Sequence, residues 1–207
     1  ERAFVWHAAK GKLRVRFLRF LGAREARCGF QRVELEPLDF SGTVQVVLAL
    51  DLSPIHEAEG RSLWNCLRCG KRAKVRALLG ETSQSGQKLL SAFTWNANRK
   101  ASRAKDLLDA AGKLAGIDQS LRVRRGCPLV VDRIAAHQIE KRPGVSANAF
   151  WKRGMKTAAR LLATDVPREL AYNTSYWQQF WDRFDVSING DPANEQGTRF
   201  CIFQLHS

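Results

Sequence analysis

Cys66 and Cys69, with Gly70 directly behind them, have the most metal-like spacing in the chain. Two thiolates at Cys-x-x-Cys spacing can grip one tetrahedral zinc ion while a following glycine permits the tight turn. Trp64 upstream and Lys71-Arg72 downstream are the neighbours a zinc knuckle keeps. No second Cys-x-x-Cys completes the set: residues 93–98 contain neither Cys nor His, and the remaining donors Cys28, Cys127 and His56 are distant in sequence. The pair therefore reads either as a half-site for structural zinc that staples a loop or as two reduced structural cysteines.

Four histidines, His7, His56, His137 and His206, are scattered along the chain. A histidine beside Arg or Lys could cleave RNA without metal, by acid–base chemistry plus phosphate stabilisation. His7, on a basic β-like start, is the candidate catalytic residue of that kind. The His-x-Glu of nucleobase deaminases does not fit, because Ala58 stands two residues after His56 and no proline precedes Cys66. No Asp/Glu cluster suits a two-metal nuclease, and no Walker A or Rossmann glycine pattern is present.

The 207 residues carry 34 Lys+Arg against 20 Asp+Glu, a formal net charge of +14. Such a balance bears on partners and not on fold, and it points to a polyanion. The cations fall in groups: Arg14 and Arg16 on a strand-like segment, Arg68, Lys71, Arg72 and Lys74 around the cysteines, then Arg99, Lys100 and Arg103. Lys152, Lys156 and Arg160 repeat at i, i+4 and i+8, with Arg153 beside them, and no glutamate interleaves to pair that face. Residues 161–207 reverse the balance, with three Lys/Arg and six Asp/Glu. The cationic surface is thus expected before residue 160.

The segment from Ile134-Ala135-Ala136 through a break at Gly144 to Val145–Arg153 resembles a helix-turn-helix, in which a Gly-Val-Ser turn leads into a recognition helix. The likeness extends over roughly thirty residues. It departs from the family in the interval between Ala136 and Gly144, which is about four residues too long for the compact turn and contains Pro143. The resemblance implies that Asn148, Lys152 and Arg153 approach bases or phosphates, with Ser146 as the N-cap.

These residues need elements to position them. Leu13, Val15 and Phe17 alternate with Lys12, Arg14 and Arg16 at strand period. Further strands are expected at residues 30–35 and 44–50, with Val44, Val46, Leu48 and Leu50 inward. Ala101, Ala104, Leu107, Leu108, Ala111 and Leu114 recur at helical spacing, ended by Gly116, and further helices are expected at residues 130–140 and from Ser146 to Ala163. Pro167 can open a helix bearing the stripe Trp177, Phe180, Trp181, Phe184. Asn189-Gly190 and the apolar run at residues 200–205 predict a closing β-hairpin. The fold class expected is α+β: a small antiparallel N-terminal sheet, a helical middle with the helix-turn-helix-like element, and a C-terminal hairpin. Residues 1–80 form the basic β-rich part with its Cys-containing loop, and residues 92–207 the mainly helical part, together one compact unit.

The function expected is non-catalytic nucleic-acid binding, DNA or RNA, with a basic sheet face and basic helices gripping the phosphate backbone inside a larger nucleoprotein complex. Other subunits would meet the C-terminal aromatic segment. The alternatives are a metal-independent RNA-processing endonuclease of the CRISPR repeat-RNA type and a basic structural or assembly protein. An odd cysteine count without a disulfide framework predicts a reducing, cytoplasmic setting. No stretch approaches a membrane span, and no signal peptide is recognisable.

Overall fold

The computed structural model describes residues 1–142 and 144–206. Ten strands dominate it: β1 (Arg2–Ala8), β2 (Gly11–Leu21), β3 (Cys28–Pro37), β4 (Gly42–Asp51), β5 (Trp64–Arg72), β6 (Val75–Thr82), β7 (Lys88–Ala97), β8 (Ala101–Asp109), β9 (Leu114–Val123) and β10 (Leu129–Glu140). Three helices follow, α1 (Ala147–Leu161), α2 (Val166–Phe184) and α3 (Pro192–His206). The strands form two antiparallel sheets, a large one of seven in the order β1-β2-β3-β10-β7-β6-β5 and a small one in the order β4-β9-β8.

Side-chain alternation decides the layering. On β10 and β7, Ile134, Ala136, Leu90 and Ala92 point to one face of the large sheet and pack against Phe150, Trp151, Met155, Ala158 and Leu161 of α1. Leu129, Val131 and Phe93 point to the other face and meet Leu48, Ile117, Leu121 and Val123 of the small sheet. The large sheet is thus the middle layer of three, and its central strands bury both faces, as strands covered on both sides do. Two glycines permit close approach. Within the small sheet, a Cβ at Gly116 would come within 2.6 Å of the Leu48 carbonyl oxygen on the paired strand β4, and between layers a Cβ at Gly154 would come within 2.8 Å of Leu90 Cδ1. A larger residue at Gly154 would push α1 away from the large sheet.

The expected α+β arrangement is overturned. The helical middle is sheet: residues 101–109 form β8, and the segment read as a helix at residues 130–140 is β10. β10 misleads because a strand buried on both faces loses its period-2 signal and reads as a continuous apolar run. β8 misleads because it is a mostly exposed edge strand, so its few apolar residues fall at helical spacing without being set by a buried face. Gly116 does not end a helix but lies inside β9. The Cys-containing loop is the edge strand β5, with a bulge between Cys66 and Arg68. The N-terminal sheet is not a separate small unit, since β1–β3 join the large sheet and β4 leaves for the other.

The helix-turn-helix likeness fails on the same ground. Ile134, Ala135 and Ala136 lie in β10, so no first helix exists. Ser146 does precede α1 but makes no side-chain capping hydrogen bond, and Pro143 lies outside the described residues. The closing hairpin is a helix. Gly190 takes a left-handed φ of 86°, Asp191 accepts a hydrogen bond from the Asn194 N–H at 3.0 Å, and Pro192 opens α3. An acidic cap followed by proline is a helix-start signal that outweighs the strand-like run after it.

The end of β10 is tied to α1 through Glu140, a buried carboxylate. It accepts from Arg142 Nε at 2.9 Å and Nη2 at 3.0 Å, and from Arg153 Nη2 at 2.8 Å. The Arg142 hydrogen bonds lead in holding its pKa down from 4.5 to about 2. A depressed carboxylate pKa adds stability that is complete above the unfolded value and is lost as pH falls through the folded one. The urea midpoint of the wild-type chain should therefore drop between about pH 4.5 and pH 2. Glu140→Gln should lower the midpoint at pH 7 and flatten that acid limb.

Candidate functional site

The small sheet does not cover the whole inner face of the large one. The register aligns Arg19 with Gln31, Leu21 with Gly29, and His137 with Ser91. Arg133 and Ala135 follow His137 back along the same face of β10 by alternation. These residues form a strip beyond the end of β4, where a concavity of about 480 Å³ is lined by Arg19, Gln31, Leu50, Arg133, Ala135 and His137. A second hollow of about 490 Å³ continues it past Arg19 and Gln31 to Phe17, Arg2 and Glu1.

The strip combines an apolar floor with spare donors. The Arg133 guanidinium stacks 4.7 Å from the Phe93 ring centroid and donates Nη2 to the Ala49 carbonyl at 2.9 Å. Its Nε is buried without a hydrogen-bond partner, and burial pushes its pKa below the ordinary arginine value. A guanidinium has five N–H donors and stays charged in proteins, so donor capacity is left over. His137 Nδ1 lies 2.9 Å from Ser91 Oγ. Burial first and the Arg133 charge second push its pKa below the usual histidine value, which keeps the ring neutral at pH 7. The carboxylate lining the strip, that of Glu1, is bound by Arg16 at 2.7 Å. The strip therefore presents hydrogen-bond donors over an apolar floor.

The cations expected to grip a polyanion are dispersed, and four of them are paired with carboxylates. Arg14 bonds Glu36, Arg16 bonds Glu1 and approaches Glu34, Lys71 bonds Asp106, and Arg153 bonds Glu140. Arg68 stacks on the Trp151 ring and reaches Asn148 Oδ1 at 3.4 Å. Arg72 and Lys74 lie at the exposed β5–β6 turn, and Arg103 is exposed on β8. Lys152, Lys156 and Arg160 are exposed on α1, whose other side is held to the large sheet by Phe150, Trp151 and Met155. Arg99 and Lys100 stand apart with Arg122 and Arg124 around another hollow.

Cys66 and Cys69 flank the β5 bulge with both thiols free, and burial raises both pKa values. Among the described residues no three of His, Cys, Asp and Glu come together as a metal site. His7 lies on the exposed edge strand β1, opposite Lys12. The aromatic stripe expected to meet other subunits packs within the chain: Trp177 lies 5.0 Å from Phe203, and Phe180 stacks 4.0 Å from His206, both partners on α3. No helix among the described residues is long and apolar enough to cross a membrane.

Comparison with curated proteins finds no match. Among solved structures, a protein described as a kojibiose phosphorylase from human microbiome superposes with a TM-score of 0.84 at 20% identity, over 98% of this chain and 26% of that one. The chain thus spans about a quarter of the length of that protein, and the likeness establishes the shared fold. The family model of the glycosyl hydrolase family 65 N-terminal domain matches residues 1–180. This match overturns the expectation of a nucleic-acid-binding protein, and with it the DNA and RNA partners, the nucleoprotein complex and the repeat-RNA endonuclease. The physical reason is that the cations are spread over separate faces of the fold, and some of them, Arg14, Arg16 and Lys71 among them, are met by carboxylates from neighbouring strands. With one family model covering residues 1–180 of the 207, and a sandwich fold to match, this chain belongs to the N-terminal domain of glycosyl hydrolase family 65.

Proposed function

We propose that this chain is a non-catalytic module of a larger carbohydrate-active enzyme and that the open strip of the large sheet faces a sugar. The family match over residues 1–180 is the observation that carries the reading. The strip supports it chemically. Sugar sites present an apolar surface to ring C–H groups and a few fixed donors and acceptors to the hydroxyls. Here Phe17, Leu50 and Ala135 supply the first, and Arg19, Gln31, Arg133 and His137 the second. Bond cleavage is assigned to parts of the enzyme outside this fold. A reducing, cytoplasmic setting belongs to the proposal, because all five cysteines are unpaired.

Isothermal titration of the purified chain with kojibiose, and with other glucose disaccharides, tests the assignment. The reading predicts saturable binding that weakens about tenfold in Arg133→Ala, the worth of one hydrogen bond to a charged group. His137→Ala should weaken it less, because it removes a hydrogen bond from a neutral side chain and not from a charged one. Absence of binding to every disaccharide, or affinity unchanged in a folded Arg133→Ala chain, would refute it.

A further inference from the structure

At the opposite end of β10 from His137, two turns bring four cations around one hollow. Arg99 and Lys100 come from the β7–β8 turn, and Arg122 and Arg124 from the end of β9 and the residue after it. The hollow measures about 350 Å³. Among the described residues none of the four has a carboxylate within 4.0 Å, whereas Arg14, Arg16, Arg32, Lys71 and Arg76 are all paired. Unpaired like charges facing one concavity repel, and an anion that enters relieves this.

The backbone beneath these side chains is held in place. Asn98 donates its N–H to the Val130 carbonyl at 3.1 Å and its Nδ2 to Pro128 O at 3.2 Å, while its Oδ1 accepts the Val130 N–H at 3.0 Å. On the other side, Gly126 donates to Pro37 O at 2.8 Å in a left-handed conformation. Arg125 turns away from the hollow to anchor the turn, donating its N–H to Ser41 Oγ at 2.9 Å and its Nε to Leu38 O at 3.1 Å. The four cations thus project from two fixed turns, and less ordering is required when an anion is bound.

We propose that Arg99, Lys100, Arg122 and Arg124 form an oxyanion site for a phosphate group, carried by inorganic phosphate or by a sugar phosphate. Three guanidinium forks match tetrahedral oxygens, and Lys100 adds a point charge. The hollow has room for the group together with an attached sugar-sized body. The site does not depend on the sugar-facing strip, from which it is separated by the length of β10, so either can fail alone.

The test is titration calorimetry of the chain at fixed ionic strength with inorganic phosphate, with glucose 1-phosphate and with chloride as control. Phosphate should bind saturably, and Arg122→Ala/Arg124→Ala should weaken it by at least about tenfold. The same variant should melt no lower than wild type in chloride, because it removes repulsion. Lys152→Ala/Lys156→Ala, which takes the same charge from α1, should bind as wild type does. Tighter binding of glucose 1-phosphate identifies a sugar phosphate as the ligand, and equal binding identifies free phosphate. The proposal is overturned if chloride reproduces the effect, if the Arg122/Arg124 variant retains it, or if the α1 variant loses it equally.

Discussion

Phe93→Ala is expected to cost about 3–5 kcal/mol of folding stability. Phe93 has no exposed surface and stands on β7 in the middle of the inter-sheet core with Leu121, Leu129 and Val131. Its ring also supports the Arg133 guanidinium at 4.7 Å and lies 5.9 Å from the Trp95 centroid. Alanine leaves a cavity between two sheets that are each held by their own hydrogen bonds and cannot collapse to fill it. Urea unfolding measures the loss. The variant should also lose sugar affinity, since Arg133 keeps its bond to Ala49 but not its platform. The milder Phe93→Leu should recover most of the stability and less of the affinity.

Trp151→Ala should be comparably destabilising, by about 3–5 kcal/mol, on the opposite face of the same sheet. Trp151 is buried in the core between α1 and the large sheet. Gly70 makes room for it: a Cβ there would come 3.2 Å from Trp151 Cζ2. Arg68 covers its outer face, 4.6 Å from the ring. Loss of the indole removes the packing that fixes the first turns of α1 to β5 and leaves Arg68 without its partner. Amide exchange across residues 147–161 should accelerate in this variant more than exchange in β4 and β9, which α1 does not touch. Uniform acceleration would instead mean that the three layers unfold as one unit.

Local patterns carried part of the architecture. Leu13 and Val15 on β2, and Val44, Val46, Leu48 and Leu50 on β4, keep a strand period because one face of each strand is buried and the other is not. The helix at α1 and the aromatic stripe on α2 were legible because amphipathic helices keep their period of 3.6. The central strands were not legible. β10 has apolar residues on both faces, and length alone made its twelve residues look helical. That error hid the site: Arg133 and His137, four residues apart, share a face in a helix as well, but only in a strand do they share it with Ser91, Gln31 and Arg19. Those partners come from β7, β3 and β2, at separations that no local pattern reports.

The charge reading failed for a related reason. Arg14 and Arg16 look unopposed along β2, yet the register places Glu36 and Glu34 directly across from them. Lys71 and Arg76 look like a basic run, yet both converge on Asp106 of β8. Net charge survives folding, but its pairing is a tertiary property. What remains after pairing is broken into separate patches, among them the α1 face and the four cations of the β7–β8 turn and the end of β9.

Hydrogen–deuterium exchange of the chain with and without saturating kojibiose, with the solution assayed for released sugar, distinguishes a module that holds sugar from one that cleaves it. Protection is expected at residues 17–21, 29–31 and 133–137, with no change at residues 99–103 and 122–125 and no released sugar. Protection confined to other segments, or free sugar produced by this chain alone, would contradict the sugar-holding assignment.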